Sequence, residues 1–303
     1  MSMEAVVILL GLLASFLFAL AAYFQQRAAR ETEREGRTVV DGLYALMRKL
    51  VRDRTWLTGW MVNLGGFATQ AAALHLGSVA VVQPLLATQL MFAMPMSSLE
   101  RKSWPRWRDW ASALAICGGL VLLLVVVDAA PLKGNPDRTK IIVAVAIALG
   151  VIAVVVPVAS RLEHEVMNVA TAACAGLCFS MTGVFLKLTS DDLADHGIAY
   201  TATDWVGYAL AGSTLLGLVL EQAAFANGPL PWAIATKDST NPIASYAIGV
   251  LAFPVAFPSG AGALVGIAGA GVLLILGAIG LAHSPSADLW LQRKEDTTTT
   301  RMR

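Results

Sequence analysis

Apolar positions in this chain come in long blocks, and polar positions gather in the gaps between them. Nine blocks stand out, near 3–24, 57–76, 79–98, 109–128, 140–159, 168–188, 205–225, 230–253 and 260–282. Each is about 20 residues long, the length at which an α-helix of 1.5 Å rise spans the hydrocarbon of a bilayer. The pattern predicts an all-α polytopic membrane protein. Residues 1–283 form a single transmembrane domain, with repeat halves near 1–128 and 140–283, and 284–303 form a flexible cytoplasmic tail carrying the Thr297–Thr300 run. Between the first two blocks, Val39, Val40, Leu43, Leu46, Met47, Leu50 and Val51 recur at helical spacing. Arg48, Lys49, Arg52 and Asp53 lie between or beyond them, so a short amphipathic helix near 38–54 is expected to lie flat on the inner leaflet. The charged run Arg27–Arg37 before it reads as a linker or an extension of the first helix.

Composition agrees: 56% of positions are hydrophobic and 14% charged, against about 25% charged in ordinary globular domains. That excludes a soluble enzyme, a nucleic-acid binder and a disordered scaffold. The net charge of +1 conceals a one-sided distribution of the 22 basic residues. With the N-terminus outside, the inner face receives Arg27, Arg30, Arg34, Arg37, Arg48, Lys49, Arg52, Arg54, Arg101, Lys102, Arg106, Arg108, Arg161, Arg293, Lys294, Arg301 and Arg303. The outer face receives Lys133, Arg138 and Lys140, and its stretch 189–204 is acidic through Asp191, Asp192, Asp195 and Asp204. Such a bias fixes nine spans with the N-terminus outside and the C-terminus inside. The first block has no basic residue before it, carries Glu4 and is followed by Arg27 and Arg30, so it reads as a span rather than a leader. The eight tryptophans fall at or near block ends, as an aromatic belt does. Cys117, Cys174 and Cys178 lie inside apolar blocks and read as packing residues, with neither disulfide framework nor metal site.

Two tight hairpins punctuate the blocks. One turns at Leu76-Gly77-Ser78 after a Gln70-Ala71-Ala72 opening, the other at Asn227-Gly228-Pro229 after Gln222-Ala223-Ala224. Similar hairpins on opposite faces are what an inverted-topology repeat produces. Through Gly65-Gly66-Phe67-Ala68-Thr69-Gln70, Gly77 to Gln83-Pro84-Leu85-Leu86, and Gln222-Ala223-Ala224 to Gly228-Pro229-Leu230, the sequence resembles the drug/metabolite transporter superfamily, its EamA-like and NIPA-like branches above all. The resemblance covers 56–128 and about 205–282. It implies a helical carrier of inverted repeats in a bacterial inner membrane, with a central cavity open to one side at a time. The chain departs from it in three ways. Nine spans replace the ten of an EamA-like member, the first half being one short, with the helix at 38–54 where a second span would stand. The acidic residue that ends the fourth helix of a repeat is matched by Glu100 but replaced by Pro254–Pro258 in the second half. Lys237-Asp238-Ser239-Thr240-Asn241 interrupts a span that is apolar in the family.

Charge inside a span costs about 2.5–3.5 kcal/mol or more, so each such residue needs a partner or a water-filled cavity. The candidate substrate-binding residues are Lys237, Asp238 and Asn241 of the eighth span, Glu221 of the seventh, Gln89 of the third, and Asn63 and Gln70 of the second. Asn63, Gly66 and Gln70 share one helical face, where amides also serve as interhelical glue. Glu221 precedes Gly228 by about as many residues as Lys237 follows it, so the two sit at matching depth and are expected to pair or share one cavity. Asp238 is expected to point about 100° away, toward the second or third span. The opposing reading makes 236–241 a solvated break. Gly262, Gly266 and Gly269 read as close-packing positions. No nucleophile–base–orienter set, phosphate loop or metal-ligand cluster appears, so neither an enzyme nor a cofactor is expected. The reading is a secondary transporter or exporter of a small metabolite, amphiphile or cation. The alternative is a non-transporting membrane scaffold or partner subunit. The partners are a small-molecule substrate, the bilayer, and a partner membrane protein or second copy, with no nucleic acid.

Overall fold

The computed structural model describes residues 3–31, 39–77, 79–99, 104–126, 137–252 and 260–282. Ser78, Glu100, Pro254–Pro258 and the tail lie outside these, as does the first residue of the expected interfacial helix. Among the described residues there are eleven helices. They are α1 (Met3–Glu31), α2 (Val39–Leu50), α3 (Arg54–Leu76), α4 (Val79–Ala87), α5 (Gln89–Leu99), α6 (Trp107–Val126), α7 (Arg138–Ala159), α8 (His164–Thr203), α9 (Trp205–Asn227), α10 (Leu230–Ala252) and α11 (Ala261–Ala282). Six helices, α1, α6, α7, α8, α9 and α11, contain a stretch long and apolar enough to cross a membrane. α4 and α5 are individually too short, and α3 and α10 carry too many polar residues to meet the same standard. Large apolar side chains such as Ile147 and Val154 of α7 face outward, which suits lipid rather than water.

Helix starts are chemically marked. Asp53 accepts from the Trp56 amide at 2.9 Å, Asp137 from Thr139 and Lys140, and Asp204 from Trp205, each satisfying amides that no helical carbonyl reaches. Several boundaries differ from the apolar pattern. α1 extends through Arg27 and Arg30 to Glu31, because that charged run contains no helix breaker. The acidic stretch 189–204 is helix rather than loop: α8 continues through Asp191 and Asp192 and kinks only at Gly197, whose φ of 79° is open to glycine. Arg138 holds this extension with a bidentate pair to Asp192 and a bond to Asp204. The third span is not continuous. It breaks at Thr88, whose hydroxyl bonds the Leu85 carbonyl and the Ser15 hydroxyl of α1. α2 places Leu46 and Leu50, both fully buried, against the bundle, while Tyr44 and, just past its end, Val51 stay exposed.

Two ends of the bundle can be named from α1. Near its start Val7 packs on Gly77; near its finish Gln26 reaches the Gly228 carbonyl. Those positions are about 28 Å apart along the helix. The largest core occupies the Gly228 end and joins α1, α2, α3, α5 and α6 to α8, α9, α10 and α11, through Leu50, Met94, Phe225 and Trp232 among others. A second core belongs to α7–α10 alone, around Phe185, Met181 and Ile248. A third belongs to α1, α3 and α4 alone, around Val7, Ala73 and Val82 at the Gly77 end. α6 and α11 pack antiparallel along their length, with Val126 against Gly266 and Ser112 against Gly280. Gly269 is also in ordinary contact with Leu122, while Gly262 faces open space and is no packing position. Trp104 and Trp107 are exposed as a belt requires; Trp56 and Trp232 are buried, because their indoles donate to Gln222 and to the Leu281 carbonyl. Cys174 and Cys178 are core residues of α8.

Candidate functional site

α10 carries two adjacent charges, Lys237 and Asp238, in a helix otherwise without charge. It begins at Leu230 directly after the Gly228-Pro229 turn, and its first turns are entirely enclosed, from Leu230 to Ala235. From Thr236 to Pro242 every residue becomes half-buried. The helix stays intact through this stretch, so 236–241 is not a break; Pro242 sits inside it and has no amide proton to give the Asp238 carbonyl.

Lys237 Nζ donates to Glu221 Oε1 at 2.7 Å and lies 3.4 Å from Asp238 Oδ1. The expected pair across the α9–α10 hairpin is therefore present. Asp238 does not turn away from it, because a lysine of this length reaches its own neighbour as well. The side chains of Lys237, Glu221 and Asp238 keep 17%, 12% and 28% of their exposure. Attraction offsets the desolvation of such a pair only when the geometry is close, which the 2.7 Å contact between Lys237 and Glu221 supplies. Lys237 also lies 5.9 Å from the centre of the Phe179 ring of α8, within cation–π reach. The backbone behind the triad comes close to α8: a methyl group on Gly176 would stand 2.6 Å from the Lys237 carbonyl oxygen and 2.9 Å from Thr240 Cβ. Asn241 accepts from Ser245 at 3.3 Å and Thr240 bonds the Thr236 carbonyl, both within the same helix.

The other named candidates divide. Gln89 opens α5 immediately after the Thr88 break. That break adjoins the triad through α6: the Cys117 thiol donates to the Ala87 carbonyl at 3.1 Å and lies within the field of Asp238. Asn63 and Gln70 stand elsewhere. They lie on the α3 face that carries Gly59, Gly66 and Gly77, and that face is seated on α1 at Gln25, Phe18 and Val7. This is the place of interhelical amides.

A second polar group, at the Gly228 end, was not among the expected site residues. Gln222 accepts from Trp56 Nε1 at 3.1 Å and donates to Gln25 at 2.9 Å. Gln26 donates to the carbonyls of Gly228 at 2.8 Å and Phe225 at 3.4 Å, and Arg30 to Gly228 at 3.2 Å. Asn168 of α8 donates to the Ala224 carbonyl at 2.7 Å. Gln222 alone carried a signal, through its place in the repeated Gln-Ala-Ala opening; Gln26 and Arg30 were hidden in a charged run. Among the described residues no group of three or more His, Cys, Asp and Glu could hold a metal ion.

No family model matches the chain, and no solved structure matches it. It is similar to an uncharacterized protein of Corynebacterium glutamicum, 26% identical over 260 residues that cover 83% of this chain and 86% of the relative.

Proposed function

We propose that this chain is a secondary carrier that moves a small metabolite, amphiphile or cation across a bacterial inner membrane by alternating access. The observation that carries the reading is the Glu221–Lys237–Asp238 triad, enclosed but keeping some exposure within an otherwise apolar bundle. Ionisable groups at such a depth serve pathways far more than packing. With both acids ionised the triad sums to one negative charge, which favours a cation among the three cargo classes.

The full topology belongs to the same proposal: nine crossings, namely α1, α3, α4–α5 together, and each of α6 to α11, with the N-terminus outside and the Gly228 end inside. Internal symmetry supports an inverted repeat. Phe18 of α1 covers Gly66 of α3, and Phe179 of α8 covers Gly217 of α9. Gly66 precedes Gly77 by the same spacing that separates Gly217 from Gly228. Thr88, where α4 gives way to α5, stands as far beyond Gly77 as Ser239 stands beyond Gly228. The offset from Ser112 to Gly266 equals that from Val126 to Gly280, so the α6–α11 contacts exchange under one rotation. A break in one half at Thr88 and a polar, proline-bearing turn of α10 at the matching position in the other suit a midplane site. In this pairing α1 matches α8 and α3 matches α9, so α7, rather than the region of α2, is the element without a counterpart.

Topology is checked by labelling: cysteines placed at Ser78 and in 189–203 should react from outside, and those in 99–108 and the tail should not. Outside reaction of 99–108 would overturn the map. The carrier reading is tested with Ser239→Cys in a chain whose three native cysteines are replaced by alanine. Reaction with a small aqueous maleimide from at least one face is expected. Full protection from both faces would favour the scaffold reading, which draws on the closed packing of 222–235.

A further inference from the structure

We infer that the structure holds the carrier open to the outside, and that the end of α9 is its inner gate, clamped shut by side chains of α1 and α3. The inference rests on the carrier reading and assigns the state and the seal.

The cores are distributed unequally. At the Gly228 end one continuous core joins helices of the first set, up to α6, with α8 to α11. Toward the Gly77 end the described residues of the two sets keep separate cores, one in α1, α3 and α4, the other in α7 to α10. The antiparallel α6–α11 pair binds the two sets along its length. A bundle joined at one end and divided at the other is a cleft, and the triad lies at its floor. Lys237 and Asp238 keep part of their exposure while the residues just below them, Leu230 to Ala235, are enclosed.

The seal has the chemistry of a reversible joint. The last carbonyls of a helix have no partner of their own. α9 ends in an extended Gly228 that forms no terminal loop of the usual kind, so its carbonyls are taken up by foreign donors. Gln26 and Arg30 of α1 bind Gly228, Gln26 also reaches Phe225, and Gln222 is held between Trp56 and Gln25. Five hydrogen bonds thus cross between the two sets of helices within about two turns. Each group in them can be re-satisfied by water when the joint parts, so opening leaves no orphaned polar group in lipid. Gln222 follows Glu221 directly, which ties the seal to the triad: movement of α9 that frees Gln222 also moves the carboxylate bound to Lys237.

The test uses the full chain with Cys117, Cys174 and Cys178 replaced by alanine and a single reporter, Asn241→Cys, in right-side-out and inside-out vesicles treated with a membrane-impermeant maleimide. The parent should label from outside and at least five-fold less from inside. Gln26→Glu keeps the size of the side chain but removes the donor, and Trp56→Phe keeps the ring but removes the indole proton. Each should raise inside labelling several-fold and lower outside labelling. Should one variant fail to accumulate, the other carries the test. Equal labelling of the parent from both faces, or folded variants that leave inside labelling unchanged, would overturn the gate while leaving the carrier reading intact. Protection of Asn241→Cys from both faces in every variant would overturn both.

Discussion

Lys237→Met should lower the stability of the folded bundle by about 3 kcal/mol, the lower end of the range for breaking a buried ion pair, because both partners keep some water. The loss comes less from the missing attraction than from what remains: Glu221 keeps its charge 10 Å or so inside the layer with no cation beside it. Asp238, no longer shared with the lysine, adds a like charge nearby. Lys237→Met combined with Glu221→Gln removes both members and should recover most of the expression and melting temperature. Transport should stay lost in the double variant, since Asp238 is then the one charged side chain left of the three and has lost the lysine beside it. The comparison is made by thermal melting in detergent followed by size exclusion. Single and double variants that melt with the parent would show that the pair has no part in holding α9 and α10 together.

That pair was legible in the sequence for a definite reason. A two-residue turn at Gly228 sets the register of its two flanking helices, and equal distance from the turn means equal depth. Amphipathic and apolar periodicity likewise located α3, α6, α7, α9, α10 and α11 to within a few residues. What could not be read are events that depend on partners distant in the chain. The break at Thr88 has no glycine or proline of its own; it forms where Ser15 bonds Thr88 and the Cys117 thiol caps Ala87, contacts between three helices. The clamp on α9 joins residues roughly two hundred positions apart, and nothing in the run containing Gln26 and Arg30 distinguishes a gripping side chain from a solvated one. Asn63 and Gln70 stand apart from the triad for a related reason. Periodicity shows that they share a face, and only packing shows that the face belongs to α1.

Gly176→Ala should be clearly damaging, with a cost of about 1–3 kcal/mol from overpacking. The added carbon would stand 2.6 Å from the Lys237 carbonyl oxygen and 3.2 Å from the Asn241 amide, which are backbone atoms that cannot swing aside. α10 must therefore shift away from α8 at the very turns that carry the triad. The control is Gly183→Ala, two turns further along the same helix, where no atom lies within 4 Å of the new methyl. There the gain in helix propensity, about 1 kcal/mol, should leave stability equal or higher. Under the proposed repeat Gly176 corresponds to Ser15, which lies against the break between α4 and α5 at Thr88. In one half the close approach is made by a hydroxyl bond across the break, in the other by the absence of a side chain. Ser15→Ala removes a hydrogen bond but adds no bulk, so its cost should stay near 1 kcal/mol. Melting curves for the three variants rank these effects. Gly176→Ala no worse than Gly183→Ala would mean that α8 does not press on the polar turns of α10 as closely as the structure has it.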